Sequence, residues 1–174
     1  MLGLEKGAIK LSPHREEWHE LFAVEARQLT AAIGKYTLAI EHIGSTAICG
    51  ISAKPIIDIM LGMREIADVG QVIEPFEELG YIYCGENGIT NRHYFRKGSP
   101  LRTHHLHIVE LNCEFWNNHL LFRDYLRVHP QIAFQYENLK RELARTHREN
   151  REAYTEGKTA FIKNVLKAAT QRRD

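Results

Sequence analysis

Residues 41–60 of the sequence read EHIGSTAICGISAKPIIDIM, and this stretch decides the fold. β-Branched and apolar residues predict one strand over residues 37–43 and a second over residues 55–61. Small and hydroxyl residues connect the two strands, and Gly44 allows the backbone to turn and to approach a ligand closely. The stretch therefore predicts two strands joined by a potential binding loop.

Several residues of this loop are suited to a phosphate group. Ser45 and Thr46 offer hydroxyls and backbone N–H groups, and Lys54 adds a cation at the end of the connection. Such groups bind phosphate through a backbone nest and a positive charge. Asp58 is a lone carboxylate in an otherwise apolar strand, where an unpaired charge is costly to bury. We expect Asp58 to be paired, to bind a metal or to face a cleft. For the loop at Gly44 and Ser45, the alternative to a phosphate-binding loop is a plain turn.

The composition is that of an ordinary globular chain. Its 174 residues suit one domain over residues 1–174, and a formal net charge of +1 gives no argument for nucleic acid or a membrane surface. The three scattered cysteines favour a reducing compartment over a disulfide framework. No apolar run approaches the roughly 20 residues of a membrane span. Residues 1–10 carry no signal-peptide pattern, so we expect a cytoplasmic protein.

Helical patterns lie on both sides of the opening stretch. We expect a short strand at residues 8–11, then a helix that Ser12 caps and Gly34 ends. A second apolar stripe covers residues 69–79, where Pro75 predicts a kink or a late restart.

Strand patterns follow in the middle of the chain. Residues 81–84 predict a short strand. Residues 91–97 and 103–111 predict an antiparallel hairpin, because a Gly-Ser-Pro turn separates them.

The last third of the chain reads as helical. Residues 114–128 predict one helix, and a further apolar stripe begins after Pro130. The charge-rich residues 145–152 are most simply a solvated helix face. Thr155 is the expected cap of a final helix.

The predicted hairpin carries a candidate metal site. His105 and His107 alternate along a strand, so their side chains share one face, whereas His104 points to the other. Two imidazoles can bind a metal together with one carboxylate, and Asp58 is the natural third ligand. The alternative is that these histidines hydrogen-bond to polar partners beside a cleft.

The hairpin also carries candidate anion-binding residues. Arg92, Tyr94 and Arg96 share one face by their period-two spacing. Together with Arg102 they could hold an anionic ligand and stack an aromatic ring. An exposed strand face is an equally simple interpretation.

Two further cations occupy unusual positions. Arg123 lies in an apolar helix stripe, where a buried charge needs a partner. Lys158 falls in the first turn of the last predicted helix, an unfavourable end for a cation. A bound anion would compensate Lys158, although water is the simpler explanation.

No nucleophile stands out from the sequence. Cys49 and Cys113 have no specific spacing to a histidine, and nothing marks an oxyanion arrangement around Ser45.

Five motifs together resemble the GrpB family. They are HIGST at 42–46, AKPIIDI at 53–59, RTHHLH at 102–107, FRDYLR at 122–127 and YTEGK at 154–158. The resemblance covers about residues 11–166. At residues 48–52 the family usually reads closer to Val-Pro-Gly-Leu-Ala, whereas this chain reads Ile-Cys-Gly-Ile-Ser. The loss of that proline should loosen the loop without redirecting its chemistry.

The resemblance implies the α/β (α+β) fold of the nucleotidyltransferase superfamily, a mixed, largely antiparallel sheet flanked by helices with a helical C-terminal third. The superfamily pattern is Gly-Ser followed by Asp-x-Asp/Glu. Gly44, Ser45 and Asp58 match it, but Met60 occupies the second carboxylate position. A thioether cannot replace a hard oxygen ligand for magnesium, which puts two-metal nucleotidyl transfer in doubt. A related domain fused to dephospho-coenzyme A kinase in some bacteria is considered a folding accessory.

Two hypotheses follow. In the first, a nucleotide or other phosphate ligand occupies a cleft, with Asp58 and His107 as catalytic residues. One Mg²⁺ or Mn²⁺ would be bound by Asp58, His105 and His107. The expected ligand-binding residues are His42, Gly44, Ser45, Thr46, Lys54, Tyr94, Arg96, Arg102, Arg123 and Lys158. In the second, the chain is a non-catalytic binding or folding-accessory module, and its partner could be a protein.

Overall fold

The computed structural model describes residues 2–171, within which five strands form one sheet in the order β1-β2-β5-β4-β3. The strands are β1 Ala39–Ile43, β2 Ile57–Met63, β3 Tyr81–Tyr83, β4 His93–Lys97 and β5 His104–Glu110. β2 and β5 pair in parallel, whereas the other neighbouring strands are antiparallel. The mixed, largely antiparallel sheet of the prediction is confirmed.

Helices cover both faces of this sheet. They are α1 Glu17–Ile33, α2 Gly70–Glu78, α3 Glu114–Val128, α4 Pro130–Thr146, α5 Arg151–Glu156 and α6 Thr159–Gln171. Short 3₁₀ segments occupy Gly34–Tyr36, Ser45–Ala47 and Ile66–Val69. The helical C-terminal third is therefore as predicted. Within residues 2–171, no helix combines the length and the apolar character that crossing a membrane requires.

β2 shows how the sequence separates the two faces. Successive side chains of a strand point to opposite sides. Ile57, Ile59 and Leu61 join the apolar core formed with α1 and α2. Asp58 and Met60 alternate with them, so they point to the opposite face, where Met60 packs in a second, smaller core cluster. A single strand therefore contributes to a dry core on one side and to a polar site on the other.

The start of the chain differs from the prediction. Residues 8–11 form no strand, and Ser12 does not cap α1, which begins at Glu17. Instead, the Ser12 backbone N–H donates to Ala53 O at 2.8 Å, and the Ala53 N–H donates to Ser12 O at 3.0 Å. Proline disfavours the helical conformation for the residue before it, so Pro13 keeps Ser12 extended and available for this pairing.

The second helix is continuous through its proline. α2 runs from Gly70 to Glu78 and includes Pro75, so the predicted restart at this position is wrong. Val72 and Phe76 on this helix are fully buried against the sheet. Tertiary packing of this kind compensates for the hydrogen bond that proline removes.

The C-terminal helices begin and end elsewhere than predicted. Thr155 lies inside α5 and does not cap α6. The Asn150 side chain caps α5 by accepting from the Ala153 N–H at 3.0 Å. Residues 147–150 therefore interrupt the charged segment that the sequence suggested was one solvated helix face. The asparagine side chain can hydrogen-bond to nearby backbone groups in place of helix bonds, which favours this break. As a result of the break, α5 lies against the polar face of the sheet.

Candidate functional site

A cavity of about 410 Å³ opens on the polar face of the sheet. The turn after β1, the strands β2, β4 and β5 and the helices α3, α4 and α5 all contribute side chains to its walls. The predicted site residues that line it are Gly44, Ser45, Thr46, Lys54, Asp58, Tyr94, His105, His107 and Lys158. The turn, the lone acid and the two strand histidines therefore share one polar space.

Gly44 is required where the turn meets Asp58. Its backbone lies at φ 70° and ψ −172°, a region that is essentially restricted to glycine. A Cβ atom at Gly44 would lie 2.5 Å from Asp58 Oδ2. The absence of a side chain therefore allows the turn to approach the carboxylate.

Asp58 is held by a neighbour from the adjacent strand. The parallel register places it opposite His105, and His105 Nδ1 lies 2.9 Å from Asp58 Oδ1. Burial opposes ionisation of the carboxyl, but the hydrogen bond and charge of His105, with the charge of Lys54, lower the pKa of Asp58 to about 2. Asp58 is therefore an anion at neutral pH, and about 30% of its side chain remains exposed.

His107 lies on the same face, two residues further along β5. Burial is the main reason that the pKa of His107 is lowered to about 3, and the charge of Arg92 contributes. Arg92 Nη1 lies 3.5 Å from His107 Nδ1, and the Arg92 guanidinium packs over the ring of Tyr94. His107 is therefore neutral at physiological pH and available as a hydrogen-bonding group or a ligand.

Three lysines approach the cavity from different parts of the chain: Lys54, Lys140 and Lys158. Burial and the charge of Lys158 lower the pKa of Lys140 to about 7. Burial and the charge of Lys54 lower the pKa of Lys158 to about 8. Desolvation and mutual repulsion disfavour the charged form of an amine, so these shifts indicate cations held together without sufficient anionic partners.

Each of these lysines lies against a tyrosine ring. Lys54 Nζ and Lys158 Nζ lie 5.4 and 4.6 Å from the ring centroid of Tyr154. Lys140 Nζ lies 4.9 Å from the ring of Tyr136 and also donates to the Ser52 carbonyl. Ring faces stabilise ammonium groups within about 6 Å. They allow the lysines to remain close together next to the cavity.

Four predicted residues do not line the main cavity: His42, Arg96, Arg102 and Arg123. His42 is buried behind the turn, where its Nε2 lies 3.0 Å from Thr46 Oγ1. Burial is the main reason that the pKa of His42 is lowered to about 3. His42 therefore supports Thr46 as a neutral group and does not line the cavity itself.

Arg123 supports the site from outside. Its guanidinium donates to Glu41 Oε2 at 2.6 Å, to His42 O at 2.9 Å and to Asp124 Oδ1 at 2.7 Å. The sequence predicted that this buried charge needs a partner, and the structure supplies two, the carboxylates of Glu41 and Asp124. These contacts join α3 to the end of β1 just before the turn.

The two remaining arginines lie beside the cavity. Arg96 is the register partner of His105, but it does not contribute to the cavity wall. Arg102 lines a small adjoining hollow together with Arg151 and Lys54. Neither arginine lines the main cavity, so their predicted role in binding an anion there stays a prediction.

Arg92, which the strand pattern grouped with Tyr94 as a candidate anion-binding residue, also lines the cavity. Sequence reasoning missed several other side chains that line it: His119, Tyr136, Lys140, Arg151 and Tyr154. Lys140 follows Tyr136 by four residues, so both lie on the buried face of α4, and Lys140 is only 2% exposed. That spacing was the signal for Lys140. Arg151 had no such signal, since only the break before α5 brings it to the cavity.

The predicted three-ligand metal site is not assembled. Among residues 2–171, the ligand atoms of Asp58, His105 and His107 do not all lie within 4.8 Å of one another. Asp58 can still contribute an oxygen ligand, and His105 Nε2 is buried without a hydrogen-bond partner. A single metal bound by Asp58 together with His105 or His107 remains a prediction.

The second carboxylate position is closed as well. Met60 is fully buried and packs with Ile43, Val109 and Trp116. Glu41 is the register partner of Met60, and it is already bound to Arg123. Among the described residues that line the cavity, Asp58 carries the one carboxylate.

The fold belongs to the nucleotidyltransferase-like class. Terminal uridylyl transferase 4 from Trypanosoma brucei, solved with bound CTP, superposes with a TM-score of 0.54 at 12% identity. The superposition covers 95% of this chain and 53% of that one. At this identity the similarity shows the fold alone.

Within this class, the chain belongs to the GrpB family. The model of that family, described as GrpB protein, matches residues 8–168. The glutamate-rich protein GrpB of Alkalihalophilus pseudofirmus is 39% identical over 95% of this chain and 98% of its own length. The crystal structure of conserved protein GrpB from Enterococcus faecalis has a TM-score of 0.88 at 40% identity and covers 94% of this chain and 99% of that one.

The YqkA protein of Bacillus subtilis is a further relative. It is 44% identical over 160 residues, which are 92% of this chain but 47% of YqkA. The chain therefore spans about half of YqkA and nearly the whole of the Alkalihalophilus protein.

Proposed function

We propose that the cavity binds a nucleotide or another phosphate-containing ligand. The observation that carries this proposal is the convergence of Lys54, Lys140, Lys158, Arg92 and Arg151 on one cavity whose described walls contain a single carboxylate, Asp58. Like charges in a partly desolvated space repel one another, and a polyanion relieves that repulsion. A bound anion should therefore stabilise the charged forms of these side chains.

The remaining walls fit such a ligand. The cavity volume of about 410 Å³ is in the range of small-molecule sites, roughly 300–1,000 Å³. The Gly44–Thr46 turn offers backbone N–H groups and hydroxyls, as the sequence suggested. Tyr94, Tyr136 and Tyr154 supply aromatic surface beside the cations. This combination of aromatic walls and cations suits a nucleotide with its base and phosphates.

A single divalent metal is compatible with one carboxylate. Mg²⁺ is commonly bound by one or two carboxylates together with substrate phosphates and water. Asp58 would hold such an ion, which would neutralise the phosphates and orient them. Asp58 is ionised at neutral pH, and its exposed part faces the cavity, so its chemistry fits this role.

Nucleotidyl transfer is the finer form of the proposal. The fold class includes the uridylyl transferase of Trypanosoma brucei solved with CTP. In such a transfer the acceptor hydroxyl would form a bond to the α-phosphorus, and the bond to pyrophosphate would break, so that pyrophosphate leaves. The step would rest on cationic stabilisation of the phosphates and on alignment of the acceptor, with His107 as the candidate group to take the hydroxyl proton.

The alternative is binding without turnover, and Met60 favours it. Its thioether is buried in the core cluster at the position of the second carboxylate, so a two-metal arrangement is not available there. Under this alternative the chain is a ligand-binding or folding-accessory module that retains the cleft.

The binding proposal is tested by calorimetric titration of the protein with ATP, CTP, GTP, UTP and inorganic tripolyphosphate, each with and without Mg²⁺. We expect at least one of these ligands to bind. Lys158→Met should weaken that binding by about tenfold or more, because it removes a charge-assisted contact worth roughly 1.5–3 kcal/mol.

Lys163→Met is the matched control. Lys163 is exposed on α6 and does not line the cavity, so this variant should bind like the parent chain. Absence of heat with every ligand, or equal loss in the two variants, would contradict the proposal.

Turnover is tested separately with nucleoside triphosphates labelled at the α-phosphate, in the presence of Mg²⁺ or Mn²⁺. Transfer is supported if labelled nucleoside monophosphate becomes attached to an acceptor and if this product is lost in a folded Asp58→Asn variant. Ligand binding without any product supports the non-catalytic alternative.

A further inference from the structure

A second cluster of potential ligands lies outside the cavity. His14 precedes α1, His19 lies in its first turn, and Cys49 lies in the connection between β1 and β2. One ligand atom from each of these residues lies within 4.8 Å of the other two. Among all histidine, cysteine, aspartate and glutamate side chains of residues 2–171, these three form the group whose ligand atoms all lie within 4.8 Å of one another.

The geometry of the cluster suits a tetrahedral metal. Cys49 Sγ lies 3.5 Å from His19 Nε2. Zinc bond lengths of roughly 2.3 Å to sulfur and 2.0 Å to nitrogen place two ligands of a tetrahedron about 3.5 Å apart. The third ligand needs only a small side-chain movement, because all three separations are at most 4.8 Å.

The surroundings leave the ligand atoms available. His14 Nδ1 is buried without a hydrogen-bond partner, while the His14 ring packs edge-on against Trp18. Burial is the main cause of the lowered pKa of both His14 and His19, so it disfavours the protonated rings. Neutral imidazole is the form that binds metals. Cys49 is exposed, which leaves a path for a cation from solvent.

We propose that His14, His19 and Cys49 bind a borderline divalent cation such as Zn²⁺. One thiolate and two imidazoles are typical zinc ligands, and a water molecule would complete the tetrahedron. The site is separate from the phosphate-binding cavity, because none of its three residues lines that cavity.

The cation would add a second link between two segments that the Ser12–Ala53 backbone pairing already joins. It would join the start of α1 to the connection that carries the binding turn and Lys54. The ring of His19 also lies 5.3 Å from the ring of His42, which supports Thr46. Zinc binding should therefore stabilise the loop of the cavity from behind.

The test is titration of the reduced, metal-free protein with Co²⁺, followed by displacement with Zn²⁺. The Asp58→Asn variant serves as the background, so that the cavity does not contribute a carboxylate ligand. We expect a thiolate-to-cobalt charge-transfer band, tetrahedral cobalt absorption and a rise in Tm with Zn²⁺.

Cys49→Ser should remove the charge-transfer band and weaken Zn²⁺ binding by at least about tenfold, since loss of even an outer partner of a metal site costs that much. His19→Gln should weaken binding similarly. Cys84→Ser is the matched control, because Cys84 is remote from the cluster and donates to the Ile82 carbonyl. This variant should bind normally.

Two results would overturn the proposal. One is the absence of the charge-transfer band in the Asp58→Asn background. The other is Zn²⁺ binding that is equal in the Cys49→Ser and Cys84→Ser variants. In either case the 3.5 Å contact is a simple thiol–imidazole hydrogen bond. Neither result affects the nucleotide titrations, since those concern a different set of residues.

Discussion

The two faces of the sheet are built from the same strands but follow different rules. Towards α1 and α2, side chains such as Ile59, Phe95 and Leu106 are fully buried in an apolar core. Towards α3, α4 and α5, the neighbouring positions carry Asp58, Tyr94 and His105 around a polar cavity. One face stabilises the fold through burial, whereas the other holds charges together at a cost that a ligand can offset.

This difference teaches that stability and function are separable by residue parity where the strands border the cavity, whereas Met60, further along the same face, packs in a core cluster. A substitution on the apolar face should change the free energy of unfolding. A substitution one residue away should mainly change the chemistry of the cavity. The following variants test this separation.

The largest effect is expected for Phe95→Ala on the apolar face. Phe95 is fully buried and contacts the rings of Phe76 and Tyr83. Its removal should lower the free energy of unfolding by about 3–5 kcal/mol. Urea unfolding measures this change. Tyr94→Phe, one residue away on the other face, should cost far less; equal losses would show that the faces are not energetically distinct.

A smaller loss is expected for Gly44→Ala at the turn. The new methyl group would meet Asp58 Oδ2 in a backbone conformation reserved for glycine. Strained backbone costs about 1–3 kcal/mol, and displacement of Asp58 should also weaken ligand binding. Gly50→Ala is the control, because Gly50 also has a positive φ but its new methyl group would meet no neighbouring atom within 4 Å. If Gly50→Ala weakens ligand binding as much, the Asp58 contact is not the cause.

A pH-dependent effect is expected for Asp58→Asn. The folded-state pKa of Asp58, about 2, lies below its ordinary value of 3.8. A lowered carboxyl pKa adds stability above the unfolded-state pKa, and this contribution is lost as the pH falls through the folded-state pKa. The difference in free energy of unfolding between parent and variant should therefore shrink between about pH 4 and pH 2. A difference that stays constant over this range contradicts the ion-pair interpretation.

The mildest effect is the pH dependence of ligand binding. Lys140 and Lys158 have pKa values of about 7 and 8 in the free protein. A bound phosphate favours their charged forms and raises both values, so binding takes up protons. Affinity should fall as the pH rises above about 7, and calorimetry in buffers of different ionisation enthalpy should detect proton uptake. Affinity that is constant from pH 6 to pH 9 excludes these lysines as phosphate ligands.

Much of the sheet could be predicted because its signals are local. The Gly44 turn, the strand that carries Asp58 and the hairpin with His105 and His107 follow from period-two alternation and turn chemistry. Their residues line one cavity, as the sequence suggested. Errors arose where a long-range contact prevailed over a local preference, as at Ser12, which pairs with Ala53 and does not cap a helix.

The helical side of the site could not be predicted in the same way. Arg151 resembles an ordinary solvated residue of a charged helix, and only the docking of α5 brings it to the cavity. The spacing of Lys140 from Tyr136 places Lys140 on the buried face of α4, but only the docking of α4 decides that this face meets the cavity. His42 and Arg123 were expected to bind the ligand, and the structure shows that His42 contacts Thr46 and that Arg123 donates to the His42 carbonyl. Residue type indicated a polar role for these side chains, and packing decided which partner they have.

The sequence by itself determined the family, the strand faces and the glycine turn beside Asp58, because each depends on spacing within a few residues. Only the tertiary structure decided that three lysines meet at one cavity and that Cys49 lies beside His19. Those residues are separated by tens of positions along the chain. Their proximity results from the burial of apolar surface across the whole domain, which no local pattern records.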